Sequence, residues 1–464
     1  GEIRAALGSL DQSLQGVNST QAALAVLDEQ VLDRAGKSIE HDMQNDRPLA
    51  ARLEHTLAVT YRSLGLFPQA VQHVERAVKL RTDELGAEAQ QTLKSLGLLA
   101  NLYKRQGRYD EAEKLLDRVL TAQRRSLGSE HPDTLDSIDD LAAVYSYQGR
   151  YPEAEKLLLP VLDLRRKTLG LENDDTLDTI EQLGRVYALQ GRLAEAEKLF
   201  REDVEVSTKL HGADDTDTLV AVNNLATVYA EQGHYPEAEK LFRRAFETQK
   251  RVVGPEHPTT LEAMNNVAAI CTEQGRYAEA EKLLHEGLTI RQRVLGPDHP
   301  STLYSINSLA ELYLEQKRYG EAEKYARSAL DGRRRVLGRE HQDTLSSLTS
   351  LAEANNGQRH YLEAEKLARE AIGGFEHAQL AGSYEMGVAR TTHGRSLLGL
   401  KRYPQAEPEL LAAETLLRPR PTAHAQAIES LVSLYEGWER EDPGRGHASE
   451  ADRWRASFGP EPRR

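Results

Sequence analysis

The stretch QGRYPEAEKL, residues 148–157, recurs along the chain at a constant spacing of 42 residues. Close copies begin at Gln106, Gln190, Gln232 and Gln274. The alanine of this stretch forms an unbroken column: Ala70, Ala112, Ala154, Ala196, Ala238, Ala280, Ala322, Ala364 and Ala406. A fixed period of this size is typical of a solenoid, in which each repeat packs against its neighbours. The repetition therefore decides the fold class.

Each unit has the pattern of two helices joined by a tight turn. Apolar residues recur at helical spacing over residues 134–147, which predicts the first helix. Gly149 tolerates the positive φ of a helix end, and Pro152 suits the first turn of the next helix. A second apolar stripe follows, and its basic end at residues 165–167 complements the helix dipole. The predicted fold is an all-α, right-handed α-solenoid of helix-turn-helix units.

A second motif, HPDTL at residues 131–135, repeats with the same period. Its near copies begin at His257, His299 and His341. Histidines at fixed spacing could indicate a metal or catalytic array, but metal ligands must converge on one point. Asn173 and Asp215 replace the histidine in two units, which a helix N-cap tolerates and a metal ligand does not. We therefore expect a capping role.

The composition excludes several classes of protein. With 59 Lys and Arg against 73 Asp and Glu among 464 residues, the net charge is −14, which argues against a general nucleic-acid binder. The single cysteine, Cys271, excludes an intrachain disulfide, and we expect it to be a buried filler. No apolar run approaches the roughly 18 residues of a membrane helix, so we expect no membrane insertion.

The chain begins at Gly1, with no visible signal peptide, which suggests a piece of a larger protein. A cytoplasmic location is expected, or an extracytoplasmic one if a membrane helix precedes this piece in the full-length protein. The oligomeric state stays open.

The repeated residues resemble tetratricopeptide repeats. The small residue Ala142, the tyrosine three positions later, the Gly-x-Tyr turn and the small residue of the second helix all fit that pattern. The longer period, with NNLA at residues 223–226, is similar to the kinesin light chain type. The resemblance covers roughly residues 50–420 and implies a protein- or peptide-binding scaffold.

The segments that flank the repeats resemble those of bacterial Ser/Thr kinases with a C-terminal repeat region. No glycine-rich loop, HRD or DFG motif is present in the chain. The resemblance therefore implies the scaffolding or sensory arm of a larger signalling protein, without its catalytic domain.

Three regions are predicted. Residues 1–49 form an N-terminal segment with a capping helix at 19–40, residues 50–420 form nine helix pairs, and residues 421–464 form an atypical helix pair and tail. Units eight and nine are degenerate because Arg359 and Lys401 replace the turn glycine. Trp454 is expected to pack in the C-terminal cap.

No convergent nucleophile, base or metal cluster is visible, so we expect neither catalysis nor a cofactor or metal. The family resemblance implies that first helices line the concave surface, where their remaining positions face a ligand. The candidate peptide-binding residues are Asn223, Asn224, Thr227, Asn265, Asn266, Tyr304 and Asn307. An amide both donates and accepts hydrogen bonds, which suits an extended peptide backbone. The alternative is that these are merely solvated helix positions.

The same inner positions carry many carboxylates, including Glu231, Glu262 and Glu311. Kinesin light chains accept acidic peptides, so this chain departs from that preference and favours a polar or basic segment. The predicted function is a non-enzymatic scaffold for a protein or peptide ligand. The alternative is a sensor or self-assembly arm of a kinase or STAND NTPase that recognises a small molecule or its own chain.

Overall fold

The computed structural model describes residues 31–43 and 45–457, which form 21 α-helices and no β-strand. A short helix, α1 (Asp33–Asp42), precedes ten helix pairs, which we number as units one to ten. The first helices are α2 (Arg47–Ser63), α4 (Gln90–Arg105), α6 (Pro132–Tyr147), α8 (Asp174–Leu189), α10 (Thr216–Glu231), α12 (Pro258–Glu273), α14 (Pro300–Glu315), α16 (Gln342–Gly357), α18 (Tyr384–Gly399) and α20 (Pro421–Glu441). The second helices are α3 (Phe67–Leu85), α5 (Tyr109–Ser126), α7 (Tyr151–Thr168), α9 (Leu193–Leu210), α11 (Tyr235–Val252), α13 (Tyr277–Val294), α15 (Tyr319–Val336), α17 (Tyr361–His377), α19 (Tyr403–Leu417) and α21 (His447–Ser457). The predicted all-α solenoid of helix-turn-helix units is confirmed.

The helices pack in chain order, each against the one before and the one after. Successive first helices of most units also touch one another, which places them on the inner side of the curve. The second helices therefore form the outer layer. Helix α1 packs on α2, and the part of the predicted capping helix before residue 31 lies outside the described residues.

The alanine column marks the place where the two helices of each unit cross. All nine alanines have no exposed surface. A small side chain is required there because two helix backbones approach closely. The same holds at Gly184 on the first helix of unit four, where an added Cβ would lie 2.8 Å from the ring of Phe200. The small residues that repeat with the 42-residue period therefore lie at the contacts between the two helices of each unit.

The histidine motif caps the first helices. The backbone N–H of Asp133 donates to Nδ1 of His131 across 3.2 Å, and His257, His299 and His341 make the equivalent bond. In the two units without the histidine, the side chains of Asn173 and Asp215 accept the same bond. The capping prediction is confirmed. Within residues 31–43 and 45–457, no cluster of His, Cys, Asp and Glu could hold a metal ion.

The degenerate units keep the turn geometry without glycine. Arg359 and Lys401 adopt φ of 65° and 59°, in the left-handed region, where Gly149 has 74°. Lys317 in unit seven is a third such residue, with φ of 58°. In unit ten, Trp454 is partly buried against a cluster that includes Leu431 and Tyr435.

The superhelix closes on itself, so that units far apart in sequence touch. Nε2 of His341 lies 3.2 Å from the carbonyl oxygen of Arg105, and Nε2 of Gln379 donates to Asp110 across 2.5 Å. We call these contacts, which join the turns of units one to five to the linkers before units seven to ten, the seam. The offset between Gly107 and its neighbour His341 is 341 − 107 = 234 residues, between five and six units. The first helices therefore surround a central channel.

Candidate functional site in the central channel

The channel wall in units five to seven is formed by α10, α12 and α14. The exposed side chains on these helices include Thr227, Glu262, Tyr304 and Glu311. Tyr304 is the most accessible aromatic among them, with 53% of its surface exposed. These residues recur at the same two helical positions because a 42-residue period places equivalent side chains on the same face of each unit. The wall therefore combines hydroxyl, phenol and carboxylate groups.

Two of the candidate asparagines lie in the interior. Asn265 and Asn307 are each 5% exposed. Oδ1 of Asn265 accepts from Nη1 of Arg291 at 3.0 Å, and Oδ1 of Asn307 accepts from Ser347 at 2.9 Å. The expectation that the whole asparagine set lies on the open surface is corrected here, because the amide of Asn265 is bonded inside its own unit and that of Asn307 is bonded to the next unit. Peptide binding by the set stays a prediction.

These two amides belong to a buried polar ladder that links successive units. Its arginines come from the ends of second helices: Arg81, Arg165, Arg291 and Arg333. Nη1 of Arg165, for example, donates to Asp139 of its own unit at 2.5 Å and to Thr179 of the next at 2.7 Å. The sequence analysis did not predict the ladder. The signal was available, because each of these four arginines is followed fourteen residues later by a serine or threonine.

The other candidates lie between the interior and the channel. Asn223, Asn224 and Asn266 are half-buried, and Thr227 is exposed. Oδ1 of Asn223 and Nδ2 of Asn224 are buried without a hydrogen-bond partner among the described residues. The hydroxyl of Thr227 donates to the carbonyl oxygen of Asn223 at 3.0 Å. Amide groups with unused capacity thus lie one helical turn from the exposed wall.

The wall is acidic, and protein surrounds its carboxylates. Burial raises the pKa of Glu311 although its side chain is accessible, because protein surrounds the channel. Burial likewise raises the pKa of Glu315, and the nearby Glu273 and Glu353 act in the same direction. Arg333 opposes the effect at Glu311, and Arg395 opposes it at Glu315. A cation placed among these groups would favour their ionised form.

Cys271 lies away from this wall, at the position of the first-helix tyrosine. It is fully buried, and its sulfur is 3.3 Å from Nη2 of Arg276. Burial raises the pKa of the thiol, which disfavours the reactive thiolate. The prediction of a buried filler is confirmed. No helix within the described parts of the chain is long and apolar enough to cross a bilayer.

Several solved structures are similar to this chain. A putative kinesin light chain from Podosopora anserina with nearly identical TPR-like repeats is 31% identical, with 43% of this chain and 95% of that chain covered and a TM-score of 0.39. BtubC (BKLC) from P. vanneervenii is 20% identical, with 51% and 92% covered and a TM-score of 0.39. A Rap protein complexed with Competence and Sporulation Factor is 13% identical, with 80% and 97% covered and a TM-score of 0.50, a likeness of fold.

No curated protein matches the chain at a significant level. The tetratricopeptide repeat family does match, in overlapping stretches that together span residues 49–377. The matched stretches are residues 49–112, 91–167, 140–209, 175–251, 217–292, 259–335 and 306–377. The match follows the same helix pairs that the alanine column and the turns define. The chain therefore belongs to the tetratricopeptide repeat family.

Proposed function

We propose that this chain is a non-enzymatic scaffold that binds an extended, basic segment of a protein or peptide in the central channel. It would serve as the recognition arm of a larger bacterial signalling protein. The observation that carries the proposal is the wall of α10, α12 and α14, where accessible polar groups and carboxylates lie side by side on three successive units. The Rap protein with this fold was solved in complex with Competence and Sporulation Factor, which supports a binding role for such a solenoid.

Hydrogen bonding to the ligand backbone supports an extended conformation. Asn224 and Asn266 occupy equivalent positions in successive units, and Tyr304 presents its phenol in the third. Nδ2 of Asn224 is buried without a partner among the described residues, and a rotation of this side chain toward the channel would let it donate to a peptide carbonyl. Each such bond contributes about 0.5–1.5 kcal/mol, so a useful affinity requires several along the groove.

Charge supports a basic ligand. Glu262 and Glu311 are accessible, and Glu273 and Glu315 have raised pKa values because burial and, for Glu315, neighbouring carboxylates disfavour their charge. A lysine or arginine side chain would relieve that repulsion. Since the channel is open to solvent, the attraction should weaken with salt, whose screening length is about 8–10 Å at physiological strength.

The test begins with a pull-down by the intact chain, followed by binding measurements on the segment recovered. The inner variant is Asn224→Ala, Asn266→Ala, Tyr304→Ala. Its matched control carries Glu247→Ala and Thr289→Ala, two exposed changes on second helices. The proposal predicts that the inner variant binds at least about tenfold more weakly, as the loss of one to two hydrogen bonds implies. An equal loss of affinity in both variants, or no loss of affinity in either folded variant, would show that the segment binds outside the channel.

A further inference from the structure

One arginine reaches from the seam into the channel wall. Arg420, in the linker between α19 and α20, pairs through Nη1 with the carboxylate of Glu231 at the end of α10, 189 residues away in sequence. Its Cζ lies 5.6 Å from the ring centre of Tyr384. The adjacent Pro419 packs so closely on Gly191 that an added Cβ would lie 2.5 Å from the proline carbonyl oxygen. The linker is therefore fixed across two turns of the superhelix.

Glu231 and Tyr384 have the chemistry of a cation site. A carboxylate and an aromatic face together suit a guanidinium, through charge-assisted hydrogen bonds and cation–π attraction. Glu231 is not saturated by Arg420, because its Oε2 is buried without a hydrogen-bond partner among the described residues. The site is accessible, since the side chains of Arg420 and Glu231 are 20% and 25% exposed.

The surroundings of this site stay acidic even with Arg420 in place. Burial raises the pKa of Tyr384 to about 12. The guanidinium of Arg420 acts to lower this pKa, whereas the carboxylates of Glu385, Glu311 and Glu231 act to raise it. Burial also raises the pKa of Glu231, with Arg420 opposing it. One guanidinium thus faces several carboxylates. The site joins the acidic wall of units five to seven through Glu311.

We propose that Glu231 and Tyr384 form the cation subsite of the channel, that Arg420 is its tethered occupant, and that an arginine of the ligand displaces Arg420. The inference rests on the proposed function and specifies one contact of it. Displacement would release the linker from α10 and loosen the seam. Arginine is favoured over lysine because its planar fork can engage both oxygens of Glu231 and stack on the ring.

The probe is a fluorescein-labelled peptide of alternating glycine and arginine, compared with the same peptide carrying citrulline, the neutral isostere of arginine. Binding is measured for the parent, Arg420→Ala, Arg420→Gln, Glu231→Gln and the double variant Arg420→Ala, Glu231→Gln. The control is Arg418→Ala, because Arg418, the C-cap residue of α19, pairs with Glu414 of that helix and is largely exposed. Hydrogen exchange of the unliganded proteins reports on the turn at Gly191 and on the end of α10.

Both Arg420 variants lack the side chain that competes with the peptide for Glu231. They should therefore bind the arginine peptide about three- to tenfold more tightly, the change in affinity expected from one partly exposed ion pair. Glu231→Gln should weaken binding and cancel that gain in the double variant, and the citrulline peptide should show neither effect. Exchange near Gly191 should rise in the Arg420 variants and stay unchanged in Arg418→Ala.

Unchanged or weaker arginine-peptide binding in both Arg420 variants overturns the subsite, as does equal binding by the parent and Glu231→Gln. An arginine peptide that binds neither the parent nor Arg420→Ala overturns it too. Those results leave channel binding of the recovered segment intact, which the inner variant tests separately. Conversely, a recovered segment insensitive to the inner variant removes the proposed function, even if Arg420 is displaced by the probe.

Discussion

Nη1 of Arg291 donates to Oδ1 of Asn265 across 3.0 Å in the interior of unit six. The same nitrogen donates to Ser305 of unit seven at 2.7 Å, so one buried guanidinium joins two units. The ladder to which these residues belong therefore connects neighbouring units behind the channel wall. An asparagine on the inner helix is held in position by an arginine on the outer one.

Replacement of Arg291 by alanine should leave the amide oxygen of Asn265 and the hydroxyl of Ser305 buried without this donor. The expected loss is about 2–3 kcal/mol in the free energy of unfolding, measured by chemical denaturation. Arg293→Ala is the control, because Arg293 lies on the outer face and pairs with Glu256 at 2.7 Å. Its loss should stay below about 1 kcal/mol. Equal losses in the two variants would show that the ladder does not stabilise the array.

The alanine column leaves no space for a larger side chain. Ala238→Leu should destabilise the protein by about 1–3 kcal/mol, since Ala238 is fully buried between two helices. Ala278→Leu, at an exposed position in the first turn of α13, serves as the matched control. The midpoints of thermal unfolding of the two variants test this prediction. Identical midpoints would mean that the column does not mark the helix contact.

The turn of unit eight is strained at Arg359, whose φ of 65° is unfavourable for a residue with a Cβ. Arg359→Gly should stabilise the protein by about 0.5–1 kcal/mol, after the greater chain entropy of glycine is subtracted. Arg359→Ala keeps the strain, removes the same side chain and should bring no gain. Chemical denaturation of the three proteins compares them. A gain in the alanine variant would assign the effect to the side chain instead of the backbone.

Asp203 is a buried carboxylate in a column that elsewhere holds small or apolar residues. Burial raises its pKa to about 7, helped by Glu181, Asp178 and Asp217 and opposed by the hydroxyl of Ser207. For an acid with a raised pKa, the folded protein binds the proton more tightly than the unfolded chain does. The stability from this group is therefore lost as pH rises from about 4 to about 7.

Asp203→Ala should consequently be more stable than the parent at pH 8, by about 1–3 kcal/mol, with a smaller difference at pH 5. Asp163→Ala, at an exposed position on α7, is the control and should show no such dependence on pH. Thermal unfolding at the two pH values measures both. A gain of the same size at pH 5 and pH 8 would exclude titration of Asp203 as its cause.

Local features of the fold follow from the sequence because they repeat. The capping role of His131 was predictable, since Asn173 and Asp215 replace it where only a hydrogen-bond acceptor is needed. The second role of His341 was not predictable. Its Nδ1 accepts from Asp343 at the cap, while its Nε2 contacts Arg105 on another turn. That contact depends on small rotations between successive units, which accumulate over the array. The 42-residue period of the sequence does not reveal these rotations.

In the candidate site, too, contacts between different helices could not be predicted from the repeat pattern. Asn223 and Asn265 occupy the same position in successive units, yet the first is half-buried without a partner for its Oδ1 and the second lies inside the ladder. Hydrophobic periodicity separates core from surface but does not separate a buried polar contact from an exposed one. The distinction depends on Arg291, which belongs to a different helix and approaches Asn265 only in the folded unit.

The most direct test of binding in the channel is hydrogen exchange of the intact chain, alone and with the segment recovered by pull-down. We predict protection that is concentrated in α10, α12 and α14, the first helices of units five to seven, and that is lost in the variant Asn224→Ala, Asn266→Ala, Tyr304→Ala. Protection confined to the second helices, or to the ends of the array, would contradict the account, because the ligand would then lie on the outer surface.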